Sequence, residues 1–103
     1  MSGKFAIQLD AALGAVMLVE FTTARRAVTD YSVVLAVDAA GGPATVRVYD
    51  GAHGRNEMHR FTRAGGKHAG ETFHGGTLGE GMRAAISAIR EGYEQMIDGW
   101  SRT

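Results

Sequence analysis

The sequence predicts an α+β fold, an antiparallel β-meander of four to five strands with one long C-terminal α-helix packed across the sheet. Three observations predict it. Up to about residue 63 the chain runs in short apolar and alternating stretches separated by turn residues, the pattern of half-buried strands. From Thr77 the apolar period changes to three and four, through Leu78, Met82, Ile86, Ile89, Tyr93, Met96 and Trp100. A length of 103 residues closes one hydrophobic core and is too short for two, so residues 1–103 read as a single domain.

In order along the chain, Phe5, Ile7 and Leu9 alternate with Lys4, Ala6 and Gln8 and predict strand one. Asp10 to Gly14 is a short connection, and Ala15 to Thr23 is apolar and branched enough for a more buried strand two. Ala24 to Thr29, with Arg25 and Arg26, reads as the next turn, followed by strand three from Tyr31 to Val37. Residues Ala39 to Pro43 combine two glycines and a proline, the clearest turn signal present, and strand four runs from Ala44 to Asp50. In it Val46 and Val48 are expected on one face, Arg47 and Tyr49 on the other. Gly51 to Asn56 breaks the pattern. Glu57 to Arg63 resumes it as strand five, with Met58 on one face and His59 and Phe61 on the other. Ala64 to Gly76 holds five glycines and reads as loop, with a short extended piece at Glu71 to His74. The helix start is specified locally by Thr77-Leu78-Gly79-Glu80, the T-x-x-E form of a capping box.

Composition removes several functional classes. There is no cysteine, hence no disulfide, no thiolate zinc site and no cysteine nucleophile. No run of eighteen apolar residues occurs, and Met1 to Lys4 does not open a secretory signal, so the expectation is a cytoplasmic protein without a membrane partner. Eleven basic and eleven acidic residues cancel, which argues against a general nucleic-acid binder. The charge is unevenly spread, however. Arg47, Arg55, Arg60, Arg63 and Lys67 face only Asp50 and Glu57 in the segment from 47 to 67, and His53, His59, His68 and His74 fall in or just after it.

That segment includes YDGAHGRNEMHRF, residues 49–61, the main candidate site. His53 and His59 are candidates for acid and base, with Asp50 to orient one of them, because imidazole titrates near neutrality. Arg55, Arg60 and Lys67 are candidate phosphate ligands. Metal-independent cleavage of RNA requires a base, an acid and a cation, and the stretch holds all three types. The same composition also describes a solvated polar hairpin. A metal site from His53, His59, His74 and Asp50 is a further reading, although their spacing matches no helical pair or finger pattern, and no cofactor is expected. The glycines before Thr77 suggest an anion at the helix N-terminus, but the capping box occupies those N–H groups and Glu80 repels an anion. Gly66-Lys67-His68 does not complete a phosphate-binding P-loop. The helix stripe reads as core; Trp100, near the end, is a candidate interface residue.

A strand ending in Tyr49-Asp50, a loop with Gly54 and Arg55, then Glu57 and His59 ahead of an amphipathic helix resembles the TumE-like toxins of bacterial type II toxin-antitoxin pairs. It is also similar to uncharacterised small bacterial proteins with a Tyr-Asp-x-x-His-Gly strand end. The toxin resemblance implies a small cytoplasmic toxin acting on RNA and neutralised by an antitoxin that carries a DNA-binding domain. The alternative is a non-catalytic interaction module, an accessory subunit or small regulator, using a strand edge and the Trp100 end of the helix. Unpaired sheet edges also predict a homodimer or a strand-adding partner.

Overall fold

The computed structural model describes residues 1–103. The order of elements is β1 (Ser2–Asp10), β2 (Ala15–Ala24), β3 (Ala27–Ala39), β4 (Gly42–Asp50), β5 (Asn56–Arg60), β6 (Glu71–His74) and α1 (Leu78–Ser101). All six strands form one antiparallel sheet in the order β1-β2-β3-β4-β5-β6, so each strand pairs with its neighbours in sequence. The α+β meander with a C-terminal helix is as expected, with six strands in place of four to five.

The extra strand is the extended piece at Glu71–His74. It pairs with Asn56, Glu57 and Met58. Strand β5 in turn stops at Arg60 rather than Arg63: Thr62 donates its N–H to the Gly66 carbonyl at 2.9 Å and Gly65 donates back to Thr62 at 2.9 Å, so the chain folds on itself there. The turn between β2 and β3 is shorter than expected. Ala24 pairs with Ala27, and Arg25 and Arg26 alone reverse the chain with φ of 52° and 66°. Strand β4 starts earlier, with Pro43 opposite Asp38, which leaves Ala40 and Gly41 as the loop.

Side-chain alternation sorts the sheet into two faces. Met17, Val19, Tyr31, Val33, Leu35, Val37, Tyr49 and Met58 form the core, against Ala85 and Ile89 of the helix. Leu78, Met82, Ile86, Tyr93, Met96, Ile97 and Trp100 pack around them, so the predicted helical stripe is the helix's buried face. The expected pairing of Val46 with Val48 fails because of a bulge. The register slips between Leu35 and Ala36, leaving Val46 as the extra residue, and it turns into the core while Val48 stays on the other face. The helix packs on β3 to β6. Phe5 in β1, at the far edge, therefore remains 44% exposed although it points to the helix side. No helix is long and apolar enough to cross a membrane.

Candidate functional site

The polar residues of the central segment meet on the β4–β5 hairpin. Register places Asp50 opposite Glu57 and Val48 opposite His59. Residues two apart on a strand share a face, so Asp50, Glu57 and His59 all project from the side away from the helix. The intervening Tyr49 and Met58 point into the core. The alternation that builds the core thus also gathers the cluster.

The connecting loop is tied at both ends. Gly51 donates its N–H to the Tyr31 carbonyl at 3.2 Å, and Gly54 donates to Gly51 at 3.0 Å. Asp50 Oδ1 accepts the Ala52 N–H at 3.3 Å, which turns Oδ2 toward His59 Nε2, 3.6 Å away. One ligand atom from each of Asp50, Glu57 and His59 lies within 4.8 Å of the others.

Glu57 joins this group to the solvent side. Its Oε1 accepts from His53 Nδ1 at 2.8 Å and its Oε2 from Arg55 at 3.2 Å. Glu57 is 7% exposed, whereas the side chains of His53 and Arg55 are 70% and 66% exposed. The hydrogen bond from His53 holds the Glu57 carboxyl below its ordinary range; burial pushes the other way, and the Arg55 guanidinium, with the rings of His53 and His59 when they are protonated, adds to the lowering. Glu57 is thus a buried carboxylate kept ionised by its neighbours.

The tautomer of His59 follows from its partner. A carbonyl only accepts, so the 3.1 Å bond between His59 Nδ1 and the His68 carbonyl places a proton on Nδ1. In the neutral ring Nε2 then carries a lone pair, with Asp50 Oδ2 3.6 Å away. Gly70 closes the ring's flank. A Cβ there would lie 2.6 Å from His59 Cε1 and 3.3 Å from Glu57 Oε2, so the backbone approaches in a way only glycine allows.

Behind the cluster, on the helix side, Asn56 locks the hairpin to the start of α1. It is 2% exposed, accepts from Tyr31 Oη at 2.7 Å, and donates to the carbonyls of Gly76 at 3.0 Å and Thr77 at 3.1 Å. Burial, and secondarily the charge of Asp50, pushes the Tyr31 hydroxyl above its ordinary range, so it remains a proton donor to Asn56.

Of the residues singled out in the sequence, Asp50 and His59 come together, and His53 and Arg55 join them through Glu57. Asp50 does not hold the His59 ring by a hydrogen bond; the His68 carbonyl does. Arg60 lies opposite Arg47 on the helix side and pairs with Glu71 at 2.9 Å, away from the cluster. Lys67 is exposed and pairs through its backbone with Phe61. His74 sits opposite Asn56 beside the helix start. Trp100 is half-buried against the core and borders a groove of about 210 Å³ with Arg47, Arg60 and Met96.

Asn56 and Gly70 had no role in the sequence reading, and Glu57 entered it only as a position of the toxin-like motif, with no part in the chemistry. Glu57 is legible once the hairpin register is known, because it falls opposite Asp50. Asn56 and Gly70 lie in stretches that read as loop, and their roles depend on contacts with α1 and β5. Comparison with known proteins finds no matching family model, no matching curated protein and no matching solved structure.

Proposed function

We propose that the chain is a small toxin-like protein that acts on RNA, with Asp50, Glu57 and His59 at the centre of its site. The observation that supports this reading is the division of the cluster into two sides. Asp50, Glu57 and His59 Nε2 form an electron-rich wall on the sheet, and His53 and Arg55 stand in front of it in solvent. Cleavage of a phosphodiester by its neighbouring hydroxyl needs an acceptor for the hydroxyl proton, a donor for the departing oxygen and positive charge at the phosphate. The wall supplies the first. His53, whose Nδ1–H is given to Glu57, turns Nε2 to solvent, and in its doubly protonated form the Nε2–H is the donor, while Arg55 supplies charge. Arg60 is spent on the other face. The likeness of Tyr49 to His59 to the TumE-like motif agrees with this reading and makes an antitoxin protein the partner it implies.

Expression in bacteria tests it. The wild type is expected to arrest growth, and His59→Ala and Asp50→Asn to relieve the arrest at equal protein level. Unimpaired growth with soluble wild-type protein would sink the reading.

A second reading, a non-catalytic module that binds a second copy of this chain, is favoured by the uncovered sheet face. Register puts Val16, Leu18, Val34, Ala36 and Val48 side by side there, an apolar patch that the helix does not cover.

A further inference from the structure

We infer that Asp50, Glu57 and His59 form a binding site for a divalent transition-metal cation of the Zn²⁺ or Mn²⁺ class. The inference concerns the residues of the proposed RNA site but stands without that reading, since cation binding is read directly whether or not RNA is cleaved.

Every atom that the three side chains turn toward one another is an acceptor when His59 is neutral. Two carboxylates and an imidazole lone pair repel unless something positive lies between them. The 3.6 Å between His59 Nε2 and Asp50 Oδ2 is too long for a charge-assisted hydrogen bond. It suits two ligands of one ion: at bond lengths of about 2.1 Å and a tetrahedral angle, ligand atoms stand roughly 3.4 Å apart.

An independent feature outside the cluster points the same way. Metal-binding histidines fix their ring by giving the other N–H to a carbonyl or carboxylate, and His59 gives Nδ1–H to the main-chain carbonyl of His68. Glu57 is held likewise, with His53 and Arg55 on its outer lone pairs, leaving others free to bind inward. The side chains of His59 and Asp50 are 12% and 16% exposed, so the ligands are mostly shielded while an ion retains a path from solvent. One nitrogen and two carboxylates favour a transition ion over Mg²⁺ or Ca²⁺, which prefer all-oxygen shells. The set differs from the His53, His59, His74 and Asp50 combination suggested by composition, because β-register selects Glu57 and excludes His74. Three protein ligands leave open positions, and an ion held there takes the lone pairs that the RNA reading assigns to proton acceptance, so metal-free and metal-bound protein would differ in that step.

Calorimetric titration of the untagged full chain with Zn²⁺ and with Mn²⁺ tests the inference. One ion per chain is expected, with affinity falling at least tenfold in His59→Ala and in Asp50→Asn and changing less than threefold in His74→Ala. Mn²⁺ should also broaden the wild-type amide NMR signals most strongly around residues 50, 57 and 59, a readout that survives if a variant fails to fold. No saturable binding of either ion, binding that persists in both site variants, or broadening centred elsewhere would overturn the proposal. Growth arrest is scored separately, so the absence of toxicity does not count for or against the cation.

Discussion

At the scale of single residues, the most consequential contact is between Asn56 and Gly81. A Cβ at Gly81 would collide with the Asn56 side-chain amide, and that amide is the clasp between Tyr31, β5 and the first turn of α1. Alanine in a helix interior normally gains about 1 kcal/mol over glycine. Overpacking a buried site costs about 1–3 kcal/mol, and displaced hydrogen bonds add to that. Gly81→Ala is therefore expected to destabilise the fold by about 2 kcal/mol, measured by urea denaturation with an unchanged slope. The sequence shows a glycine inside a helix, but the reason for it is a side chain 25 residues upstream. Asp50 and His59 were legible because chemistry singles them out; Glu57 needed the register, and Asn56 has no signature of its own.

At the scale of elements, the boundaries follow from local chemistry with two exceptions. The helix begins where its capping box says: Thr77 Oγ1 accepts the Glu80 N–H at 3.2 Å, and Glu80 accepts the Thr77 N–H at 3.0 Å. The backbone bond from Thr77, then its hydroxyl, holds the Glu80 carboxyl below the ordinary range. A carboxyl depressed on folding contributes stability that is present above its unfolded pKa and lost as pH falls through the folded value. Wild-type stability should therefore decline with acidification below the ordinary carboxylate range, and Glu80→Gln, which retains a capping acceptor, should show a shallower decline in thermal melts across the same window.

The first exception is the β2–β3 turn, whose two central residues both take positive φ although neither is glycine or asparagine. Such a turn favours Asn-Gly. Left-handed backbone costs an ordinary residue roughly 1–2 kcal/mol. Replacing Arg25-Arg26 by Asn-Gly is expected to raise stability by about 1–2 kcal/mol in urea titrations. The second exception is β6, a four-residue strand in glycine-rich surroundings, formed because β5 supplies an edge. Its extended backbone was legible at Glu71 to His74, but its pairing into the sheet was not, and neither was the Val46 bulge, since both depend on what lies beside them.

At the scale of the whole molecule, six strands share one helix, and this decides what remains uncovered. The side away from α1 carries Val16, Leu18, Val34, Ala36 and Val48, with Leu18 at 42% exposed. If two copies meet through this face, the interface is isologous and one charge per protomer at its centre suffices to split it. Leu18→Lys is expected to convert a concentration-dependent dimer to a monomer in sedimentation experiments, with the melting temperature of the monomer little changed. A wild-type monomer at every concentration would dismiss the dimer. Composition and periodicity made the two-layer architecture legible, but not the face left open, because both sides of β3 and β4 carry apolar residues.

The single covering helix has a consequence for how the protein opens. Met17, Val19, Val33, Leu35 and Ile89 belong to one cluster with no second layer to fall back on. Undocking α1 would wet the core from β2 to β5 at once, so sheet and helix stand or fall as a single cooperative unit. Rare excursions from the native state then come in two sizes. Small ones fray β1 at the uncovered edge, while large ones lift the helix, pull away the carbonyls that Asn56 holds, and loosen the hairpin bearing Asp50, Glu57 and His59.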